Sequence, residues 1–228
     1  MKKLILGLAV TASSLVFAQT TTTTTTTTTR TSSSDIRFGA KAGMNVASLS
    51  NDEGLDDQKS KIGFNAGIFA NIPIAESFSI QPELLYSQYG SKAVYNEREN
   101  ANNSLKRSYT TNLGYITVPV MFQYNFIPNL YVEAGPEFGF NIVAKEKFEQ
   151  TSVVNGTTFT TSGTDDIDKD DINTFNVGIG LGAGYYFTDN IGVTVRYVAG
   201  LTDVAKDRPS GSDAIRNNVF QVGLAYKF

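Results

Sequence analysis

The sequence predicts an all-β protein, an eight-stranded antiparallel up-and-down transmembrane β-barrel. Three observations predict it. Apolar residues alternate with small or polar ones in eight separate runs, while no window longer than a few residues keeps a 3.6-residue period. The connections between runs are alternately long and short, which puts long loops at one end and tight turns at the other. The second face of the strands is mostly glycine, so it cannot be the charged outer surface of a soluble barrel. Composition narrows the chemistry. The chain has 228 residues, a formal charge of −3, 20 Gly, 11 Tyr and 15 Phe, and no Cys, His or Trp. Zinc sites, thiol or histidine nucleophile dyads and disulfide scaffolds lack their usual groups, and no cofactor is expected. There is no basic tract, so nucleic acid is not an expected partner.

Taken in order, residues 1–18 read as a secretory signal peptide. Lys2 and Lys3 precede the apolar core from Leu4 to Val10, and Val16-Phe-Ala18 supplies a small-residue cleavage site. Residues 19–35, dominated by Thr20 to Thr29, carry too little apolar surface to offset their ordering entropy and read as a disordered leader. Residues 36–228 are the barrel domain.

Its strands are expected at 36–48, 62–72, 78–91, 111–126, 130–144, 172–187, 191–204 and 218–228. Each is long enough for a tilted strand to cross a bilayer. The intervening loops are read as 49–61, 92–110, 145–171 and 205–217, against short turns at 73–77, 127–129 and 188–190. In the last run Phe220, Val222, Leu224, Tyr226 and Phe228 form one face, with Gln221, Gly223, Ala225 and Lys227 on the other. Glycine cannot build a hydrophobic core, so the apolar face looks at lipid and the glycine face looks into the barrel. Thirteen of the twenty glycines fall on that inward face, where small residues make room for large ones in a narrow lumen. Phe78, Tyr124, Phe126, Tyr131, Tyr185, Phe187, Tyr226 and Phe228 gather at the short-turn side as an interfacial girdle. Gly178, Gly180 and Gly182 nearly match a dinucleotide fingerprint, but lead into Tyr185-Tyr186-Phe187 and a turn rather than a helix.

The inward charges are the candidate functional set. Arg37, Lys41, Arg196 and Lys227 share the lumen with Glu83, Glu133 and Glu137. Unpaired charges there would cost several kcal/mol each, so they should pair across the barrel. Two further uses stay open: a narrow ion path gated by exchange of partners, and paired carboxylates for glycoside hydrolysis. Pro82, Pro119 and Pro136 interrupt neighbouring strands at similar depth, where each costs a ladder bond or marks a bulge; bulges are the preferred account, with a weakened seam for partner insertion as a further alternative. The acidic stretch Asp165 to Asp171 has the spacing that opens an EF-hand loop, but Asp171 replaces the turn glycine and Val177 the bidentate glutamate, so it reads as a solvated loop.

Phe38-Gly-Ala-Lys-Ala-Gly-Met-Asn45, Pro82-Glu-Leu-Leu-Tyr86, Tyr115-Ile-Thr-Val-Pro-Val120, Gly135-Pro-Glu-Phe-Gly139 and the terminal Phe228 resemble the porin-like outer-membrane β-barrel family of Bacteroidetes-type bacteria, with OmpA-like and PorT-like eight-stranded barrels. The resemblance implies an outer-membrane location and no catalytic residues. It also implies that the last strand, with Leu224, Tyr226 and Phe228, is read by barrel-assembly machinery. The expected role is structural or interactive, with both termini in the periplasm. The expected partners are outer-membrane lipid and lipopolysaccharide, the assembly machinery, and an extracellular or envelope protein at the loops. A narrow solute or ion channel is the alternative. A lipid- or peptide-processing enzyme of the lipid A deacylase or omptin kind is disfavoured, because those enzymes rely on a His and this chain has none.

Overall fold

The computed structural model describes residues 35–50, 58–100, 103–168, 170–206 and 213–228. The signal peptide read at 1–18 and all but the last residue of the leader lie outside them. Nine strands follow in order: β1 Arg37–Ser50, β2 Gln58–Ala75, β3 Phe78–Asn100, β4 Asn103–Ile127, β5 Leu130–Val154, β6 Thr157–Asp166, β7 Phe175–Tyr186, β8 Ile191–Gly200 and β9 Arg216–Lys227. Eight of them close into a ring in which neighbours pair antiparallel, β1-β2-β3-β4-β5-β7-β8-β9, with β9 returning to β1 from Gly39↔Lys227 to Ser50↔Arg216. Closure leaves no open edge within the ring. The tight turns are Glu76 and Ser77, Pro128 and Asn129, and residues 187–190.

β6 is the ninth strand, and among the described residues it pairs only with β5. Two segments read as loops are therefore extended hairpins. β3 and β4 continue pairing from Ser91↔Thr111 to Asn100↔Asn103, and β5 runs on to Val154, turns at Asn155 and Gly156, and returns as β6. Beyond the ring the hairpin residues are mostly exposed or half-buried, with Val94 and Ser108 buried, so the apolar alternation that marks a strand of the ring is missing there. Asn155 (φ 50°) and Gly156 (φ 79°) adopt the left-handed conformations of a two-residue hairpin turn, for which Asn-Gly is the strongest short sequence signal. Together the outer parts of β3, β4, β5 and β6 form a four-stranded sheet that stands above the ring. Phe148 packs over Gly163, where a Cβ would come within 2.5 Å of the ring, and the Tyr95 and Tyr109 rings meet at 6.3 Å on the same face.

The facing within the ring follows the alternation. Ile179, Leu181, Val193, Val195, Val222 and Leu224 are exposed on the lipid-facing side, while Asn176, Thr194, Arg196 and Gln221 are buried inside. Tyr131 departs from the girdle expected of it. It is buried in the lumen, its ring lies where a Cβ on Gly184 would be, and the neighbouring Leu130 takes the outward position.

The three prolines carry no bulge. Register is constant past Pro82, Pro119 and Pro136, and the bulges fall elsewhere, as between Ser60 and Asn65 and between Gly114 and Tyr115. The ladder instead skips rungs beside each proline. β2–β3 pairing passes from Phe69↔Glu83 to Ile72↔Ile80, β3–β4 from Pro82↔Val120 to Leu85↔Thr117, and β4–β5 from Pro119↔Glu137 to Phe122↔Ala134. Proline has no N–H to donate, and a closed sheet accommodates that by losing the bond in place.

Candidate functional site

The middle of the lumen is a four-residue charge cluster drawn from four strands, no two of them adjacent: Lys41 on β1, Glu83 on β3, Glu133 on β5 and Arg196 on β8. Each points inward because side chains alternate along a strand and its chain neighbours, such as Ala42, Leu84, Val132 and Val195, take the lipid-facing positions. Arg196, 1% exposed, is the hub. Its Nε donates to Glu133 Oε1 at 2.8 Å, Nη1 to Glu83 Oε2 at 2.9 Å, and Nη2 to Glu83 Oε1 at 2.7 Å, with Glu133 Oε1 also 2.7 Å from Nη2. This places a planar guanidinium between two carboxylates, one of them bidentate, a geometry that lysine could not reproduce. Lys41 Nζ donates to Glu83 Oε1 at 3.1 Å. The remaining acceptor capacity is filled by amides: Gln81 donates to Glu83 at 2.9 Å and Gln123 to Glu133 at 3.0 Å.

Two cations thus face two carboxylates, and the set is neutral. The other three expected members are arranged differently. Glu137, four residues above Glu133 on β5, is buried and forms no ion pair among the described residues; Tyr89 donates a short hydrogen bond to its Oε1, and its Oε2 has no hydrogen-bond partner among them. Arg37 and Lys227 lie at the short-turn mouth rather than in the cluster. Arg37 is four residues below Lys41, about 13 Å along a strand, too far to reach the Glu83 layer. Lys227 turns over the Tyr186 ring at 3.9 Å. Both line a polar vestibule of about 430 Å³ with Asn71 and Gln123 at its inner end. Asn71 donates to Gln123, Gln81 and Ser79, so side-chain hydrogen bonds run from the vestibule to the charge cluster.

The opposite end is closed by apolar residues that the sequence did not mark as functional. Ala47, Tyr89, Leu113, Tyr115, Val198 and Val219 fill the upper lumen, and Ile172 and Val204 fold over them from the connections after β6 and β8. These two segments are tied to each other: Asn173 N donates to Val204 O at 2.8 Å, Lys206 N to Asp171 O at 2.9 Å, and the Asn173 side chain to the carbonyls of Asp203 and Ala205. In the sequence Ile172 and Val204 read as strand residues; a lone aliphatic beside a polar loop was the available signal. The acidic stretch above them shows an exposed Lys145–Asp166 pair at 3.1 Å and an Asp168 side chain accepting from Asp170 N.

A closed antiparallel ring with an apolar outer wall and a polar, charge-filled interior defines a transmembrane β-barrel. This chain belongs to the family described as outer membrane protein beta-barrel domain, which matches residues 17–206. It is an outer-membrane β-barrel protein of bacterial type. Similar solved structures include Ail, the attachment invasion locus protein of Yersinia pestis, at 14% identity, covering 84% of this chain and 98% of that one with a TM-score of 0.39. Neisserial surface protein A is 13% identical, covering 84% and 97% with a TM-score of 0.44. CarO of Acinetobacter baumannii is 14% identical, covering 83% and 97% with a TM-score of 0.36. No curated protein matches the chain.

Proposed function

We propose that this protein is a structural and interaction barrel whose lumen is a plug and whose working surface is the raised β3–β6 sheet, with no enzymatic role. The observation that carries the reading is the double closure of the lumen, by the Arg196 cluster at its middle and by the Ile172 and Val204 cork at its end. A solute would have to break both. The raised sheet supports the interaction role: β6 leaves one edge unpaired among the described residues, and Tyr95, Tyr109 and Phe159 are exposed on one face. An unpaired edge is a template for a strand from another polypeptide. In barrels of this kind the short turns are periplasmic and the long hairpins extracellular. On that orientation both termini lie in the periplasm, after cleavage near Ala18, and the sheet faces outward toward lipopolysaccharide and protein partners.

The test has two arms. In planar bilayers the purified protein should give no discrete conductance steps, and unitary conductance in the unmodified protein would restore the channel reading. In cells, a variant with 147–164 replaced by a tight turn should keep a heat-modifiable barrel and lose the adhesion or envelope function that a deletion strain lacks. Full complementation by that variant would remove the sheet from the function.

A further inference from the structure

We propose that the vestibule at the short-turn mouth binds a small soluble phosphomonoester of a polyol, held by its phosphate between Arg37 and Lys227. The cavity measures about 430 Å³, within the size range of small-molecule sites. It lies at the end of the barrel opposite the raised sheet. Beyond its inner end, hydrogen bonds from Asn71 to Gln123 and from Gln123 to Glu133 cross the lumen, so it is a blind pocket and not the entrance of a path.

The register brings the two cations together. Gly39 lies opposite Lys227, and Arg37 stands two residues before Gly39 on β1, about 7 Å along the strand. Phe38, Tyr226 and Phe228 take the outward positions, so both charged side chains turn into the mouth. There they are close enough to repel each other, and neither forms an ion pair among the described residues. Asp35 and Glu76 are the carboxylates of the lining; both are exposed, and neither comes within ion-pair distance of the two cations. Like charges on neighbouring strands are unfavourable, and a doubly charged anion between them removes the repulsion. Phosphate suits the pair, because its oxygens can be shared between a planar guanidinium and a point-like ammonium. Lys227 Nζ, 3.9 Å from the centre of the Tyr186 ring, fixes one side of that site.

The inner wall selects the rest of the ligand. Asn71 donates through Nδ2 to Ser79, Gln81 and Gln123, which leaves its Oδ1 as an acceptor without a donor among the described residues. Ser77 and Asn125 add polar groups to the same lining. A body that carries hydroxyls meets such a wall, whereas an alkyl chain does not.

The refolded barrel in non-ionic micelles is titrated with glycerol 3-phosphate by isothermal calorimetry at fixed ionic strength. One site with a dissociation constant below about 1 mM is expected, with inorganic phosphate about threefold or more weaker and glycerol silent. Arg37→Gln and Lys227→Gln should each weaken binding about tenfold, while Arg216→Gln, a cation lost at the far end of β9, should change nothing. Should Arg37→Gln not refold, Lys227→Gln is read the same way. Absence of binding, or binding that survives the mouth substitutions, would overturn the site. Inorganic phosphate binding as tightly as the ester would overturn the polyol part. A phosphodiester headgroup carries a single charge, so phosphatidylglycerol added to the micelles should not compete; competition would overturn the soluble source.

Discussion

Replacing Arg196 by Met keeps most of the side-chain volume and removes every polar contact of the hub. Glu83 then retains Lys41 at 3.1 Å and Gln81 at 2.9 Å, whereas Glu133 retains only Gln123 at 3.0 Å. One buried carboxylate is left without a counter-charge, and breaking a buried pair from one side costs about 3–5 kcal/mol. The double variant R196M/E133Q restores neutrality, because Lys41 and Glu83 remain a matched pair and the amide that replaces the Glu133 carboxylate can still accept from Gln123. It should lie within about 1–2 kcal/mol of the parent, since exchanging a whole buried pair is often close to neutral. The measurement is urea unfolding of the refolded barrel in micelles, followed by far-ultraviolet circular dichroism and by the shift between heated and unheated gel bands. A double variant no more stable than R196M would refute the charge argument and assign the loss to packing of the guanidinium.

Four further outcomes are expected. Val195→Arg or Ile179→Arg should cost about 2–4 kcal/mol near the midplane, while Thr194→Arg fails by crowding; cysteines at 195 that react with water-soluble reagents while those at 194 are shielded by lipid would invert the facing. Gly184→Ala, which drives a Cβ into the Tyr131 ring, should destabilise by about 1–3 kcal/mol and be relieved by Tyr131→Leu. Gly156→Val, at a position with φ of 79°, should release hydrogen-exchange protection across β6, at a cost of about 1–2 kcal/mol, and leave protection at 130–140 intact. Deletion of Phe228, 72% exposed, should lower outer-membrane levels in cells while permitting near-normal refolding in detergent; normal levels in cells would end its role as an assembly signal.

The ring was legible because lipid imposes one apolar face on every strand that crosses it, and alternation records that face. β6 and the outer halves of β3 to β5 escaped the same pattern, since no lipid imposes one apolar face on them; the Asn155-Gly156 turn signal stood unread within the segment 145–171. Tyr131 was misplaced because Leu130 and Tyr131 are both bulky, and the parity of their strand is set by Glu133 and Glu137 further along. The inward charges were legible as a set, but not as pairs. Which of them share a level depends on strand tilt and stagger, which bring Lys41, Glu83, Glu133 and Arg196 together and leave Arg37 and Lys227 at the mouth. The prolines were seen at their common depth, and of the two outcomes open to them, a lost ladder bond or a bulge, the closed sheet takes the first; the sequence leaves the choice open because it depends on the partner strand.

The charge cluster also bears on how the barrel forms. Its members come from the first, third, fifth and eighth strands of the chain, spaced around the circumference, and Arg196 spans the lumen between two of them. Two of the contacts are already within reach in an open sheet: Lys41 and Glu83 stand on strands with only β2 between them, and Glu133 and Arg196 face each other across Gly182 of β7. The bidentate contact between Arg196 and Glu83 joins strands on opposite sides of the ring, so it forms only as the sheet curls into a cylinder. Curling thus welds two locally neutral pairs into one network, and the guanidinium fork rewards the last stage of assembly rather than the first.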